Sequence, residues 1–214
     1  MAHVLLLIIL SITLVLSPCY SQSNYYKKSR GLMESSGFGF RAGLNNSFIR
    51  IKNNNRGYPS DDKIGFHLGL IYNQRLSDVF SIQPELSYTQ TGYTYLRNSA
   101  LGEVTSNVRL DYLQIPVLLK AGTGNNVYRV FFNVGPYINI ALRGVERETI
   151  SNNTTKSVLS ISTERGLNPF DIGIAAGAGA AYKLMNGQIF AEIRYNYGLT
   201  DIIKNYKFTT ASNN

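Results

Sequence analysis

Cysteine is nearly missing from this 214-residue chain: Cys19 is the only one, so an internal disulfide framework is excluded. Histidine is almost as scarce, with His3 and His67 alone, and a zinc centre of Cys and His lacks the ligands it needs. Tryptophan is absent and charged residues make up only 16%, below the roughly 25% usual in soluble domains. The longest apolar run, Val4 to Leu16, falls short of the ~20 residues of a helical membrane span. What the chain has instead is 15 tyrosines and 19 glycines, an enrichment common in membrane barrels, where tyrosine rings sit at the lipid–water interfaces.

The run from Val4 to Leu16 is followed by Ser17, Pro18, Cys19 and Ser21. Its length and its small flanking residues suit a signal peptide cleaved after Ser21, although the usual positive charges before the run are missing. A lipoprotein would use Cys19, but Pro18 fits poorly at the position before it. Cleavage removes both Cys19 and His3, so the expectation is an exported protein without thiol chemistry. Residues 1–21 are assigned to the signal peptide and residues 22–36 to a polar N-terminal segment.

Beyond that point there is no amphipathic helix pattern and there are seven alternating runs: Gly37 to Ile49, Gly65 to Leu76, Phe80 to Leu96, Arg109 to Ala121, Tyr128 to Arg143, Pro169 to Met185 and Gln188 to Ile202. In the fifth, Tyr128, Val130, Phe132, Val134, Pro136, Ile138, Ile140 and Leu142 share one face, and Arg129, Asn133 and Asn139 lie on the other. Such a pattern fits either a sandwich core or the lipid face of a barrel. Run length favours the barrel, because strands in soluble proteins usually span about five or six residues. The connections agree. "SDV", "GTGNN" and "NG" follow the second, fourth and sixth runs, whereas "NNNRGYPSDDK", "RNSALGEVTSN" and "GVERETISNNTTKSVLSISTERGLN" follow the first, third and fifth. Alternating short and long connections are the layout of a transmembrane barrel with periplasmic turns and external loops. The expected fold is therefore all-β, an antiparallel up-and-down transmembrane β-barrel of eight-stranded design over residues 37–202.

Seven strands leave such a ring unpaired at one edge. Residues 203–214 are polar and begin like an external loop, so the chain is expected to be truncated before an eighth, C-terminal strand, leaving a gap beside the first run.

Parity sends the apolar sets toward lipid and the polar sets inward. The inward set expected to form an ionic network is Arg41, His67, Glu85, Gln114, Lys120, Arg129, Asp171, Lys183, Glu192 and Arg194. An eight-stranded ring is only wide enough for side chains to fill, and unpaired buried charges are costly. The expectation is a packed structural interior, with an ion path or a small-ligand site as the functional counterpart.

The segments "GFGFRAGLNNS", "FSIQPELSYTQTGY", "LDYLQIPVLLK", "VGPYI" and "EIRYNYGLTDI" resemble the PorT-like outer-membrane β-barrel proteins of Gram-negative bacteria, across Gly37 to Ile202. The resemblance implies an eight-stranded barrel in the outer membrane. It departs from the family at Gln114, where Glu is common, and at the C-terminus, where relatives continue with one more strand. PorT itself is linked to protease secretion, a role not carried over here.

No chemistry of an enzyme stands out. His67 is the sole imidazole after export, and meeting Ser87 or Glu85 would be an accident of register. "DIGIAAGAGAAY" is Gly-rich but alternates as a strand, unlike a phosphate loop. No catalytic residue, metal or cofactor is expected. The net charge of +8 draws on Arg50, Lys52, Arg56, Arg143, Arg147, Lys156 and Arg165 in the long connections. Outer-membrane lipid, with lipopolysaccharide phosphates as one candidate, is the expected partner; an interspersed solvated loop surface is the plainer reading, and nucleic acid is not expected. The functional expectation is a non-enzymatic envelope barrel whose external loops bind an unidentified protein partner or play a structural role. A narrow channel or secretion-associated barrel comes second, and a lipid-modifying enzyme using His67 third.

Overall fold

The computed structural model describes residues 6–18, 36–50, 58–99, 102–125, 127–150, 153–159, 161, 166–184, 187–200 and 203–204. The strands are β1 (Leu6–Pro18), β2 (Gly37–Arg50), β3 (Tyr58–Arg75), β4 (Phe80–Ser99), β5 (Gly102–Gly124), β6 (Tyr128–Ile150), β7 (Asn153–Leu159), β8 (Gly166–Leu167), β9 (Phe170–Leu184), β10 (Gly187–Gly198) and β11 (Ile203–Lys204). Eight of them form a ring in the order β1–β2–β3–β4–β5–β6–β9–β10, and β10 returns to β1. Every neighbour in the ring is antiparallel. The seven alternating runs of the sequence correspond to β2–β6, β9 and β10.

Alternation builds the ring's two faces. On β6 the exposed residues include Tyr128, Val130, Phe132, Val134, Pro136 and Ile138, while Arg129, Phe131, Asn133, Tyr137 and Asn139 are buried between them. Outward apolar residues continue around the ring through Phe38, Phe66, Leu70, Leu86, Val117, Ile174 and Ile193. At the short-turn end Phe38 packs in a tilted contact on Tyr72 at 4.7 Å, and Tyr128 stands opposite Tyr182 across β6 and β9; toward the other end Phe66 approaches Tyr88 at 5.8 Å. On β4 the outward residues from Phe80 to Tyr88 span nine positions, matching the ~9 to 11 residues with which a tilted strand crosses the hydrocarbon.

Local chemistry sets the short turns. Ser77 Oγ accepts from the backbone N–H groups of Val79 and Phe80 at 3.3 and 3.0 Å, and Asn125 Oδ1 accepts from Val127 and Tyr128 at 2.8 and 2.9 Å. Both side chains stand in for backbone acceptors, as Ser and Asn do in turns. The Gly-rich β9 has a packing reason. A Cβ at Gly173 would meet the Tyr137 ring at 2.4 Å, and one at Gly179 would meet the Phe131 ring at 2.5 Å, so these glycines are seats for inward rings of β6.

Two long connections expected to be loops are largely strand. β4 and β5 stay paired as far as Ser99 and Gly102, and β6 continues to Ile150 before turning back as β7. The second half of the connection after β2 likewise belongs to β3, which begins at Tyr58. Beyond the lipid belt the hydrophobic parity inverts. Val104, Val108 and Leu110 are buried on the inner face while Arg109 and Arg147 are exposed on the outer one. A pattern that is apolar outside within lipid and apolar inside beyond it loses its period at the crossing, so these strands look like polar loops in sequence. Together β3 to β7 form a continuous sheet extending past the ring.

The expected gap between the first and last barrel runs is a further correction, because β1 occupies it. Ile12 pairs with Leu44 of β2 and with Ile193 of β10. The same stretch is the one whose length and flanks suit a signal peptide. Without β1, the edges of β2 and β10 would carry unpaired backbone groups into lipid, and a segment rich in Leu, Ile, Val and Thr satisfies both. Of the expected polar tail, Ile203 and Lys204 pair with β8, and the rest lies outside the described residues, as does the N-terminal segment apart from Ser36. The ring predicts that a variant lacking residues 1–21 loses the compact, heat-modifiable band that the 214-residue chain gives in detergent electrophoresis. A deletion variant with an undiminished band would show that β1 does not close the ring.

Candidate functional site

The polar faces of the strands meet inside the ring, and their charges are grouped by depth. Nearest the short turns, Arg129 donates through Nη2 to the carbonyls of Val79 and Gly122 at 3.1 and 2.9 Å. Above it Lys120 Nζ lies 4.0 Å from the Phe131 ring centre and 5.2 Å from that of Phe190, a cation held over two π faces. The two rings pack edge to face at 5.7 Å and, with Ile71 and Ala181, form an apolar plug.

The next layer is the ionic centre. Glu85 on β4 accepts from Arg41 on β2 and takes both Nη groups of Arg194 on β10, at 2.7 and 2.8 Å. Gln83 Nε2 donates to the same carboxylate at 2.7 Å, while Gln83 Oε1 accepts from Lys120 Nζ at 3.5 Å. Arg194 Nε donates to Glu192 at 2.5 Å. Two guanidinium groups thus face two carboxylates, and their charges cancel. Bidentate, charge-assisted geometry of this kind is the strong form of the interaction. It also joins strands on different sides of the ring, so it works as a clamp across the lumen.

Between Arg41, Arg194, His67, Ser87 and Gln114 lies a cavity of about 10 Å³. That is room for roughly one water molecule. Ser87 Oγ, Gln114 Nε2, Asn45 Oδ1 and Asn196 Oδ1 around it have no protein hydrogen-bond partner among the described residues. His67 shares the cavity with Ser87 and Thr89, and it is only 5% exposed. Toward the long-hairpin end, Asp171 accepts from Asn139 Nδ2 at 2.9 Å and from Thr200 Oγ at 2.6 Å.

Of the ten residues expected in the lumen, nine are buried there: Arg41, His67, Glu85, Gln114, Lys120, Arg129, Asp171, Glu192 and Arg194. Lys183 is the exception and is exposed. It stands two residues beyond Ala181, the last β9 residue of the plug, where the short-turn rim opens to solvent. Gln83, Asn139 and Thr200 complete the network and are not among those ten. Inward parity marks Gln83 and Asn139, but Thr200 lies past the end of β10 and carries no periodic signal.

The arrangement gives a firm energetic expectation. Glu85→Gln leaves two buried guanidinium groups without their shared carboxylate, and breaking a buried pair in this way costs about 3 to 5 kcal/mol. Adding Arg41→Met restores the charge balance with Arg194 and Glu192, so the double variant should unfold at a higher urea concentration than Glu85→Gln alone. A double variant less stable than the single one would contradict the clamp.

Residues 20–204 match the sequence model of a family described as an outer membrane protein beta-barrel domain. The match takes in every ring strand except β1. No curated protein matches the sequence.

Proposed function

The chain belongs to the outer membrane protein beta-barrel domain family, and on that premise we propose that it is a non-enzymatic envelope protein, anchored by its ring and working through the sheet that projects from it. The observation that carries this reading is the closed interior. Arg194, Lys120, Phe131, Leu118, Gln83 and Glu192 are fully buried, and the cavity beside the Glu85 clamp has room for about one water. His67 and Ser87 are buried, which favours this reading over a lipid-modifying enzyme. With the short turns in the periplasm, the β3–β7 sheet stands outside the cell, where a partner protein can reach it.

Export by the segment from Val4 to Leu16 belongs to the same reading. Because that segment is β1 of the ring, the reading keeps it uncleaved after export, in place of the cleavage after Ser21 that its length and flanks suggest. The narrower PorT-like affiliation rests on the quoted segments, and secretion of proteases is not part of the proposal.

Reconstitution in planar bilayers tests the closed lumen. The expected result is no large steady current at either polarity, because crossing the ring means passing both the Phe131–Phe190 plug and the Glu85 clamp. Sustained single-channel steps from the intact chain would favour the narrow channel instead.

A further inference from the structure

The outward face of the projecting sheet gathers five cations just beyond the lipid belt. Their placement depends on a bulge. Tyr112 pairs with Ala141, yet Asp111 pairs with Arg143, so Leu142 is an extra residue on β6. Past it the parity of β6 reverses, and Arg143 and Arg147 come to the outward side with Leu142. There Arg147 stands between Asn107 of β5 and Lys156 of β7, directly opposite each. Arg109 lies one row nearer the membrane, opposite Val145. Lys63 of β3 joins them across Gly92, where a Cβ would come within 2.7 Å of Lys63 Cδ; the missing side chain is what lets the lysine stem lie there.

Among the described residues, the carboxylates set against these five cations on the outward face are Asp111, which also stands opposite Arg143, and Asp62. Arg109 binds Asp111 through Nε at 3.1 Å, with about half of its side chain exposed. Asp62 is held from the other side by Asn46 at 3.4 Å. Glu146 and Glu148 belong to the inner parity and are half-buried. Arg147 and Lys156 face one another as like charges, an arrangement that costs stability in a sheet unless an anion joins them. Lys63 lies outside the spanning segment, and its pKa is lowered by partial burial and then by Arg147 and Arg109. Below the patch, Ile115, Ile138 and Leu142 continue the outward apolar surface, and Gln90, at the edge of the patch, is the next outward residue of β4 after Tyr88.

We propose that the patch of Lys63, Arg109, Arg143, Arg147 and Lys156 binds the phosphate groups of a membrane glycolipid whose acyl chains pack on the apolar surface below. The patch sits at headgroup depth, continuous with the lipid belt, and a soluble phosphate would gain nothing from that surface. Several cations matched to several phosphate oxygens give strong, charge-assisted contacts. The assignment rests on the outer-membrane reading, which supplies phosphorylated glycolipid in the leaflet that this end of the ring faces.

The test uses the full chain in nanodiscs and native mass spectrometry, with bis-phosphorylated lipid A, the same lipid A after phosphatase treatment, phosphatidylglycerol and inorganic pyrophosphate as probes. Bis-phosphorylated lipid A should be retained over each of the others by roughly tenfold or more, and Arg147→Ala with Lys156→Ala should reduce that preference by roughly tenfold. Equal retention of the phosphorylated and dephosphorylated forms overturns the proposal. So does equal retention of phosphatidylglycerol, or displacement of the glycolipid by pyrophosphate. The comparison among probes on the unaltered protein stands even if the double variant misfolds. A heat-modifiable folded band without glycolipid preference sinks this site alone, whereas absence of the folded band in lipid counts against the barrel reading itself.

Discussion

Hydrocarbon offers backbone N–H and C=O groups no partner, and this constraint shapes every strand of the protein. A sheet that enters lipid must close on itself, which is why β6 pairs on one side with β5 and on the other with β9, and why the place between β2 and β10 cannot stay empty. Closure turns one face of each strand toward lipid and the other toward a shared interior. The apolar belt and the polar lumen are two results of the same requirement.

Eight strands make a narrow ring, and its interior has to be filled rather than left open. The protein fills it with long charged side chains and aromatic rings, and makes room for the rings with glycine on the neighbouring strand. Once inside, charges have to cancel within contact distance, since desolvation is paid whether or not a partner is present. Glu85 meets this by serving Arg41 and Arg194 at once. On the proposed reading, a lumen so occupied directs binding to the outer surfaces, the belt and the projecting sheet.

Much of this was legible in the sequence, through parity. The face of β6 that carries Val130 and Val134, and the inward position of Glu85, Glu192 and Arg194, follow from alternation alone. Parity says which side a residue takes but not whom it meets: the Glu85–Arg194 pair spans 109 positions in sequence, and only the ring's curvature brings them together. Lys183 shows the limit in the other direction, since inward parity at a rim leads to solvent. The projecting sheet was hidden because its hydrophobic face switches sides where the lipid ends. The basic patch is legible only in part: Arg143, Arg147 and Lys156 stand out as connection cations suited to lipid phosphates, but not as one surface. Arg143 and Arg147 carry the right charge in sequence, but their outward aim comes from one inserted residue at Leu142, and bulges have no periodic signature. The apolar length of β1 suits an export signal as well as a lipid-spanning strand, so length alone does not separate the two.

The most direct measurement of the account is a cysteine scan from Tyr128 to Leu142 in a Cys19→Ser background, with a fluorescent label at each position and a nitroxide quencher confined to lipid tails. Quenching should alternate, strong at Val130, Phe132, Val134, Pro136 and Ile138 and weak at Phe131, Asn133, Tyr137 and Asn139. Uniform quenching, or alternation with the opposite phase, would contradict a lipid-embedded ring with a closed polar interior.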